Sequence, residues 1–326
     1  MRRLLCAVLV LIGSCGPLAS APLDAAAIND AQFAAKLSRD QISPQTVKLQ
    51  VLLDRAHVSP GEIDGKFGEN VRKAVRAFTE AKQLPSSDSL SREAWDLLTA
   101  DTQPTIGDYT LTDADIAGPF LDKLPSRLDD MKGLKALSYT SLREQIAERF
   151  HMSAELLSAL NPNARFDRAG TRLVVVNVTM PPDKLPRVVR IDIDKARQTV
   201  KAYDKSGQLV AFYPATVGSE EKPSPSGVLT VRSVSHNPTY RYNPEYHFKG
   251  VKSKTAFEIA PGPNNPVGSV WISLSAQGYG LHGTPAPDKV SKSQSHGCVR
   301  LTNWDAEQLA AAVTKGTTVA FLAGRG

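Results

Sequence analysis

Apolar positions recur at helical spacing through the first half of the chain and at strand spacing through the last third, a pattern that predicts helical units followed by a mainly β domain. Val47, Leu49, Val51, Leu52 and Leu53 follow Ser43-Pro44, where serine suits an N-cap and proline a first turn. The glycine-punctuated loop Gly61-Glu62-Ile63-Asp64-Gly65-Lys66-Phe67-Gly68 leads to a second helix with Val71, Ala74, Val75 and Phe78 on one face. A short third helix gathers Trp95, Leu97 and Leu98, which completes a helical unit over residues 40–101 behind an alanine-rich lead-in at 25–39. Gln103-Pro104-Thr105 reads as a linker. A second unit, 105–179, has strand character at 109–112, helices at 141–150 and 153–160, and a strand at 173–176. Met180-Pro181-Pro182 and Pro186 mark the next linker. From 187 to 323, short alternating or branched runs at 188–193, 199–203, 209–217 and 228–234 read as strands. One helix is expected there, at 303–314, with Asn303 as cap, Asp305 and Glu307 at its positive end and Gly316 as its stop, before a strand at 318–322. The fold class is multidomain α+β.

Length supports this division, since 326 residues exceed one ordinary core. Arg2 and Arg3, an apolar run over 4–12 and Ala19-Ser20-Ala21 form the three parts of a secretory signal, so residues 1–21 are expected to be a leader and the protein to be exported to the periplasm. Ile12-Gly13-Ser14-Cys15 offers the alternative of a lipoprotein signal ending at Ser14, with a lipid on Cys15. The apolar run is shorter than the roughly 20 residues that span a bilayer. A net charge of +6 is spread along the chain without aromatic interleaving, which argues for a basic surface and against nucleic acid.

Cys6 and Cys15 lie in the leader, which leaves Cys298 as the one cysteine beyond it. It sits in Ser295-His296-Gly297-Cys298-Val299-Arg300, sixteen residues after His282 in Leu281-His282-Gly283-Thr284. A thiol is mostly protonated at neutral pH, so a cysteine nucleophile needs an imidazole or a cation beside it. His282, at the end of a strand-like run, is the candidate base, and His296 suits a supporting or substrate-contacting role. Gly297 removes a side chain where a carbonyl must approach, and N–H groups around 296–298 suit an oxyanion. Arg300 shares the cysteine's face in extended chain and suits a substrate carboxylate or carbonyl. One thiol and two histidines match no common zinc pattern, so neither metal nor cofactor is expected. Asp64-Gly65 lacks the repeated oxygen ligands of a calcium loop. His57, His151, His236 and His247 have no partner motif and read as structural.

Residues 63–78, with the leucine-rich helix before them and Trp95 after, resemble the peptidoglycan-binding domain 1 family. The second unit resembles a LysM-like βααβ module through its two helices, Leu156-Leu157-Ser158-Ala159-Leu160-Asn161 and Gly170-Thr171-Arg172-Leu173, but lacks the opening Gly-Asp-Thr and carries a long insertion. The last third resembles the YkuD-type L,D-transpeptidase domain: Pro223-Ser224-Pro225-Ser226-Gly227, Gly262-Pro263-Asn264-Asn265-Pro266-Val267-Gly268, Trp271, Tyr279-Gly280-Leu281-His282-Gly283-Thr284 and Ser295-His296-Gly297-Cys298. That resemblance implies a sandwich-like β domain with one packed helix, Cys298 as nucleophile and His282 as base. It implies support from Gly283, whose carbonyl orients the histidine, and from Ser295, His296, Gly297 and Arg300, with Tyr279 and Arg300 on the substrate. The implied reaction is acyl transfer from the diamino acid–D-alanine bond of a peptidoglycan tetrapeptide stem to an amine of another stem, giving a 3,3 cross-link, or to a protein such as one of the outer membrane. Carbapenem-type β-lactams are the implied inhibitors, and glycan the implied partner of the upstream modules. The alternatives are a wall L,D-carboxypeptidase or other cysteine hydrolase, and a non-catalytic scaffold. Papain-like hydrolases place cysteine before histidine, the reverse of the order here. On this reading a chain starting near Pro186 keeps its chemistry and loses its hold on the wall.

Overall fold

The computed structural model describes residues 23–178, 185–219, 222–246, 251–295 and 297–322. The leader with Cys6 and Cys15, Met180-Pro181-Pro182, His247 and His296 lie outside the described residues.

The helical unit forms as its pattern dictates. After α1 (Ala25–Asn29) come α2 (Pro44–Arg55), capped by the Ser43 hydroxyl, then α3 (Glu69–Ala81) and α4 (Arg92–Leu98), capped by Ser91. Leu49, Leu53, Phe67, Val71, Val75, Phe78 and Trp95 share one core. Leu97, expected with them, faces outward at 46% exposure, because Trp95 and Leu98 already take the inner face of so short a helix. Gly65 has φ +75°, and a Cβ there would lie 2.6 Å from the Ile42 side chain. Asp64 accepts from Gln50 and from the Lys66 N–H, which makes it a turn residue. The lead-in is fastened: Ile28 is buried, and Asn29 Oδ1 accepts from the N–H groups of Thr105 and Ile106. The expected linker at 103–105 is pinned too, because Arg55 donates to the carbonyls of Gln103 and Pro104.

In the second unit, β1 (Ile106–Thr110) precedes α5 (Asp113–Ala117) and α6 (Leu128–Met131) of the insertion; α7 (Leu142–Arg149) and α8 (Ala154–Leu160) follow, and β2 (Arg172–Val176) pairs antiparallel with β1. Serines at 141 and 153 cap α7 and α8.

The last third is one rolled sheet. Its strands are β3 (Arg190–Asp194), β4 (Thr199–Tyr203), β5 (Leu209–Pro214), β6 (Thr216–Val217), β7 (Gly227–His236), then β10 (Val270–Leu274), β11 (Gly280–His282), β12 (Val299–Arg300) and β13 (Thr318–Leu322). A separate hairpin, β8 (Tyr240–Tyr242) and β9 (Phe257–Ile259), lies between β7 and β10 in the chain. The order is β5-β4-β3-β13-β7-β10-β11-β12-β6. β7 joins the two halves, pairing with β13 through 227–230 and with β10 through 231–236. The single strand expected at 209–217 is two: β5 and β6 form opposite edges of the sheet with only Ala215 between them, so the edges must meet and the sheet nearly closes. The sandwich-like packing is thus achieved by one sheet. α9 (Asn303–Ala312) packs Ala306, Leu309 and Ala310 into the core with Ile191, Val200, Ile272 and Leu281.

The three units share cores. Phe212 of β5 is buried in the helical unit's cluster, and its backbone exchanges hydrogen bonds with His57 and Ser59. Residues of α2 and Ile63 join the cluster built around α7, α8, β1 and β2. The insertion packs Met131 and Leu137 on Tyr242, Phe257 and Ile259. Against α9, Ser59 donates to Asp305 (3.0 Å) and the His151 ring stacks on Trp304 at 5.0 Å. Among the described residues no helix is long and apolar enough to cross a membrane, and no group of three or more His, Cys, Asp or Glu is placed to hold a metal ion.

Candidate active site

β11 and β12 are parallel neighbours, with Leu281 opposite Val299 and His282 opposite Arg300. Strand alternation sends Leu281 and Val299 into the core, where both are fully buried. The same alternation puts His282 and Arg300 on the other face, with Gly280 and Cys298 one step back along each strand. That face opens into a cleft of about 1210 Å³ whose walls include Tyr279, Trp271, Lys222, Arg241 and, from the insertion, Arg127.

The cysteine turn is staked from several sides. Ser295 Oγ donates to the Cys298 carbonyl (2.6 Å) and accepts from the Gly218 N–H (2.7 Å), while Ser224 Oγ donates to the Gly297 carbonyl (2.7 Å). Gly297 sits at φ +102°, and a Cβ there would come 3.0 Å from the Tyr279 ring. The Cys298 thiol donates to the Gly278 carbonyl at 3.6 Å.

His282 Nδ1 lies 2.6 Å from the Gly283 carbonyl. A carbonyl only accepts, so Nδ1 carries the hydrogen and Nε2 is left with its lone pair. The ring stacks on Trp271 at 5.5 Å. A Cβ on Gly280 would meet that indole at 2.7 Å, which is why the strand needs glycine there. Burial, aided by the positive charge of Arg300, drives the His282 pKa down to about 3. Burial also pushes the Cys298 thiol up, against the opposing pull of the Gly280 N–H and Arg300. Arg300 is thus the cation neighbour that favours thiolate, but desolvation penalises imidazolium and thiolate alike and favours a neutral resting pair.

Cys298, His282, Ser295, Tyr279 and Arg300 line one cleft, Gly283 meets the histidine ring and Gly297 is held by Ser224, whereas His296 is not described. The buried Nε of Arg300 has no hydrogen-bond partner among the described residues. His151, read as structural, lies half-buried beside Asp54 at 3.0 Å.

Asn303 is the residue that sequence reasoning misplaced. The cap of α9 is Thr302, whose Oγ1 accepts from the Asp305 N–H. Asn303 turns away from that end: its Oδ1 accepts from the N–H groups of Thr284 (3.0 Å) and Ser269 (3.2 Å). The Thr-x-x-Asp spacing at 302–305 was the signal that the cap lay one residue earlier.

A family model of the L,D-transpeptidase catalytic domain matches residues 188–320, and one of a peptidoglycan binding domain matches residues 43–98. A Bacillus licheniformis protein named as an L,D-transpeptidase, YkuD, is 30% identical over 180 residues, covering 55% of this chain and 92% of the relative. YcfS of Escherichia coli, also named as an L,D-transpeptidase, is 30% identical over 186 residues, 54% of this chain and 57% of that relative. Among solved structures, an L,D-transpeptidase from Xylanimonas cellulosilytica is similar at 15% identity and a TM-score of 0.38, covering 90% of this chain and all (100%) of that one.

Proposed function

The chain belongs to the YkuD L,D-transpeptidase family, and from that premise we propose that Cys298 and His282 transfer the acyl group of a peptidoglycan tetrapeptide stem to an amine. The observation that carries this reading is their placement on one face of two adjacent parallel strands, at one cleft, with Gly283 holding the histidine's Nε2 unprotonated.

Because the resting pair is neutral, the thiol proton leaves as the sulfur attacks. His282 Nε2 takes that proton while Sγ bonds to the carbonyl carbon of the diamino acid. The N–H groups of Gly297 and Cys298 stabilise the resulting oxyanion. His282 then returns the proton to the departing D-alanine nitrogen, the C–N bond breaks, and a thioester remains on Cys298. An acceptor amine attacks the thioester, His282 takes its proton, and sulfur leaves to regain a hydrogen. An amine of a second stem gives a 3,3 cross-link; a protein amine, such as one on an outer-membrane protein, a D-amino acid or water are the other acceptors. Arg300 and Tyr279 hold the donor, and the cations Lys222, Arg241 and Arg127 in the cleft wall suit its carboxylates.

The unit matched as a peptidoglycan binding domain and the LysM-like unit are proposed to hold the sacculus, raising its local concentration at the cleft. The 1–21 leader supports export to the periplasm, with lipid attachment at Cys15 the alternative. A strained carbapenem carbonyl offers the same nucleophile the same target, so acylation of Cys298 by one is part of the proposal. Incubation with disaccharide tetrapeptide, read by mass spectrometry, tests the reaction: tripeptide-containing dimers support it. Intact substrate with no loss of D-alanine defeats it.

A further inference from the structure

α7 belongs to the upstream unit, yet its acidic residues one turn apart both reach the catalytic domain. Glu144 accepts from Asn264 Nδ2 at 2.9 Å, and Glu148 from Asn303 Nδ2 at 2.8 Å. The same Glu148 oxygen accepts from the Tyr139 hydroxyl at 3.1 Å. Nearby, Leu137 grips the loop before β10 through its N–H on the Pro261 carbonyl and its carbonyl on the Asn264 N–H, both 2.9 Å.

Asn303 carries this contact to the site. Its Nδ2 is committed to Glu148 and to the Pro263 carbonyl (3.1 Å), which leaves Oδ1 to face the N–H groups of Thr284 and Ser269. The Thr284 N–H and the Gly283 carbonyl belong to one planar peptide unit, so anchoring one end fixes the other. That carbonyl is the acceptor of His282 Nδ1. We propose that Glu148 is a positioning residue for the histidine: it orients the Asn303 carboxamide, which sets the Gly283-Thr284 peptide plane and with it the His282 ring. The proposal rests on the reading of Cys298 and His282 as nucleophile and base. The role needs an acceptor oxygen rather than a charge, so glutamine serves in place of glutamate.

The test uses the full chain with iodoacetamide as probe, following alkylation on the peptide that contains Cys298, alongside D-alanine release from disaccharide tetrapeptide. Glu148→Met and Glu148→Ala both remove the acceptor at different side-chain volumes, so failure of one to fold leaves the other. Each is expected to slow alkylation and kcat about tenfold with KM within about twofold, while Glu148→Gln stays within about twofold of the parent. Parent rates in folded Met or Ala variants, or a Gln variant as slow as Met, overturn the proposal. A parent chain that alkylates but releases no D-alanine defeats the transpeptidase reading instead, and the alkylation rates alone then decide the role of Glu148.

Discussion

An imidazole ordinarily titrates near pH 6.5 and a thiol near 8.5. At the cleft, burial sends His282 to about 3 and Cys298 upward, so neither changes charge in the neutral range. The alkylation rate of Cys298 should therefore pass through pH 6.5 without an inflection and climb only above the usual thiol range; a clear step near 6.5 would mean that His282 titrates in the resting enzyme. His282→Gln should slow alkylation at neutral pH by about tenfold or more, since it removes the acceptor for the thiol proton. Cys298→Ala should end D-alanine release while leaving the far-ultraviolet circular dichroism unchanged, and residual release would exclude sulfur as the nucleophile. Gly280→Ala must displace Trp271, which stacks on His282, and is expected to cost about 1–3 kcal/mol of stability together with activity.

At the scale of elements, α9 shows what sequence can and cannot locate. Its span was legible from Asp305, the apolar face of Ala306, Leu309 and Ala310, and Gly316 beyond it. Its cap was misread because both Thr302 and Asn303 are good capping residues; tertiary contact decided, drawing Asn303 to the Thr284 and Ser269 amides. Thr302→Ala should thus lower stability by about 1 kcal/mol in denaturant unfolding, and a change under about 0.3 kcal/mol would reassign the cap. The break at Ala215 was illegible for a different reason: β5 and β6 are both branched and buried, and local pattern does not reveal that successive strands lie on opposite sheet edges. Alternation puts His282 and Cys298 on matching faces once β11 and β12 are neighbours, but no local pattern in the sequence reveals their parallel pairing.

At the scale of the whole molecule, the segment Gln103-Pro104-Thr105, read as a linker, is pinned by Arg55, and the units share cores, which leave no composition signal. Phe212 is 2% exposed only because the helical unit covers it, so a chain starting near Pro186 should bind hydrophobic dye and unfold at lower temperature than the full protein rather than behave as a free domain. The joints also carry carboxyls, half-buried at Glu62, which faces Asp288, and at Glu148, which meets Asn303, and buried at Asp305, which accepts from Ser59. Burial raises each to about 7. Because these groups hold their protons in the folded chain but lose them near pH 4 when unfolded, their contribution is whole below about pH 4 and is lost as pH rises through about 7. At His151 burial lowers the pKa, but Asp54, Asp305 and Glu307 together raise it on balance, which acts in the same direction. The carboxylates held low by hydrogen bonds, Asp115 among them, affect only more acidic solutions. His282, held unprotonated, opposes the raised groups by costing stability below its usual pH 6.5, but one group against three carboxyls should leave the melting temperature several degrees higher at pH 5.5 than at pH 8. Asp305→Asn, which cannot ionise and keeps an acceptor for Ser59, should narrow that gap by gaining stability mainly at pH 8. An equal gap in parent and variant would show that the Asp305 carboxyl is not held protonated at the joint between α9 and the helical unit.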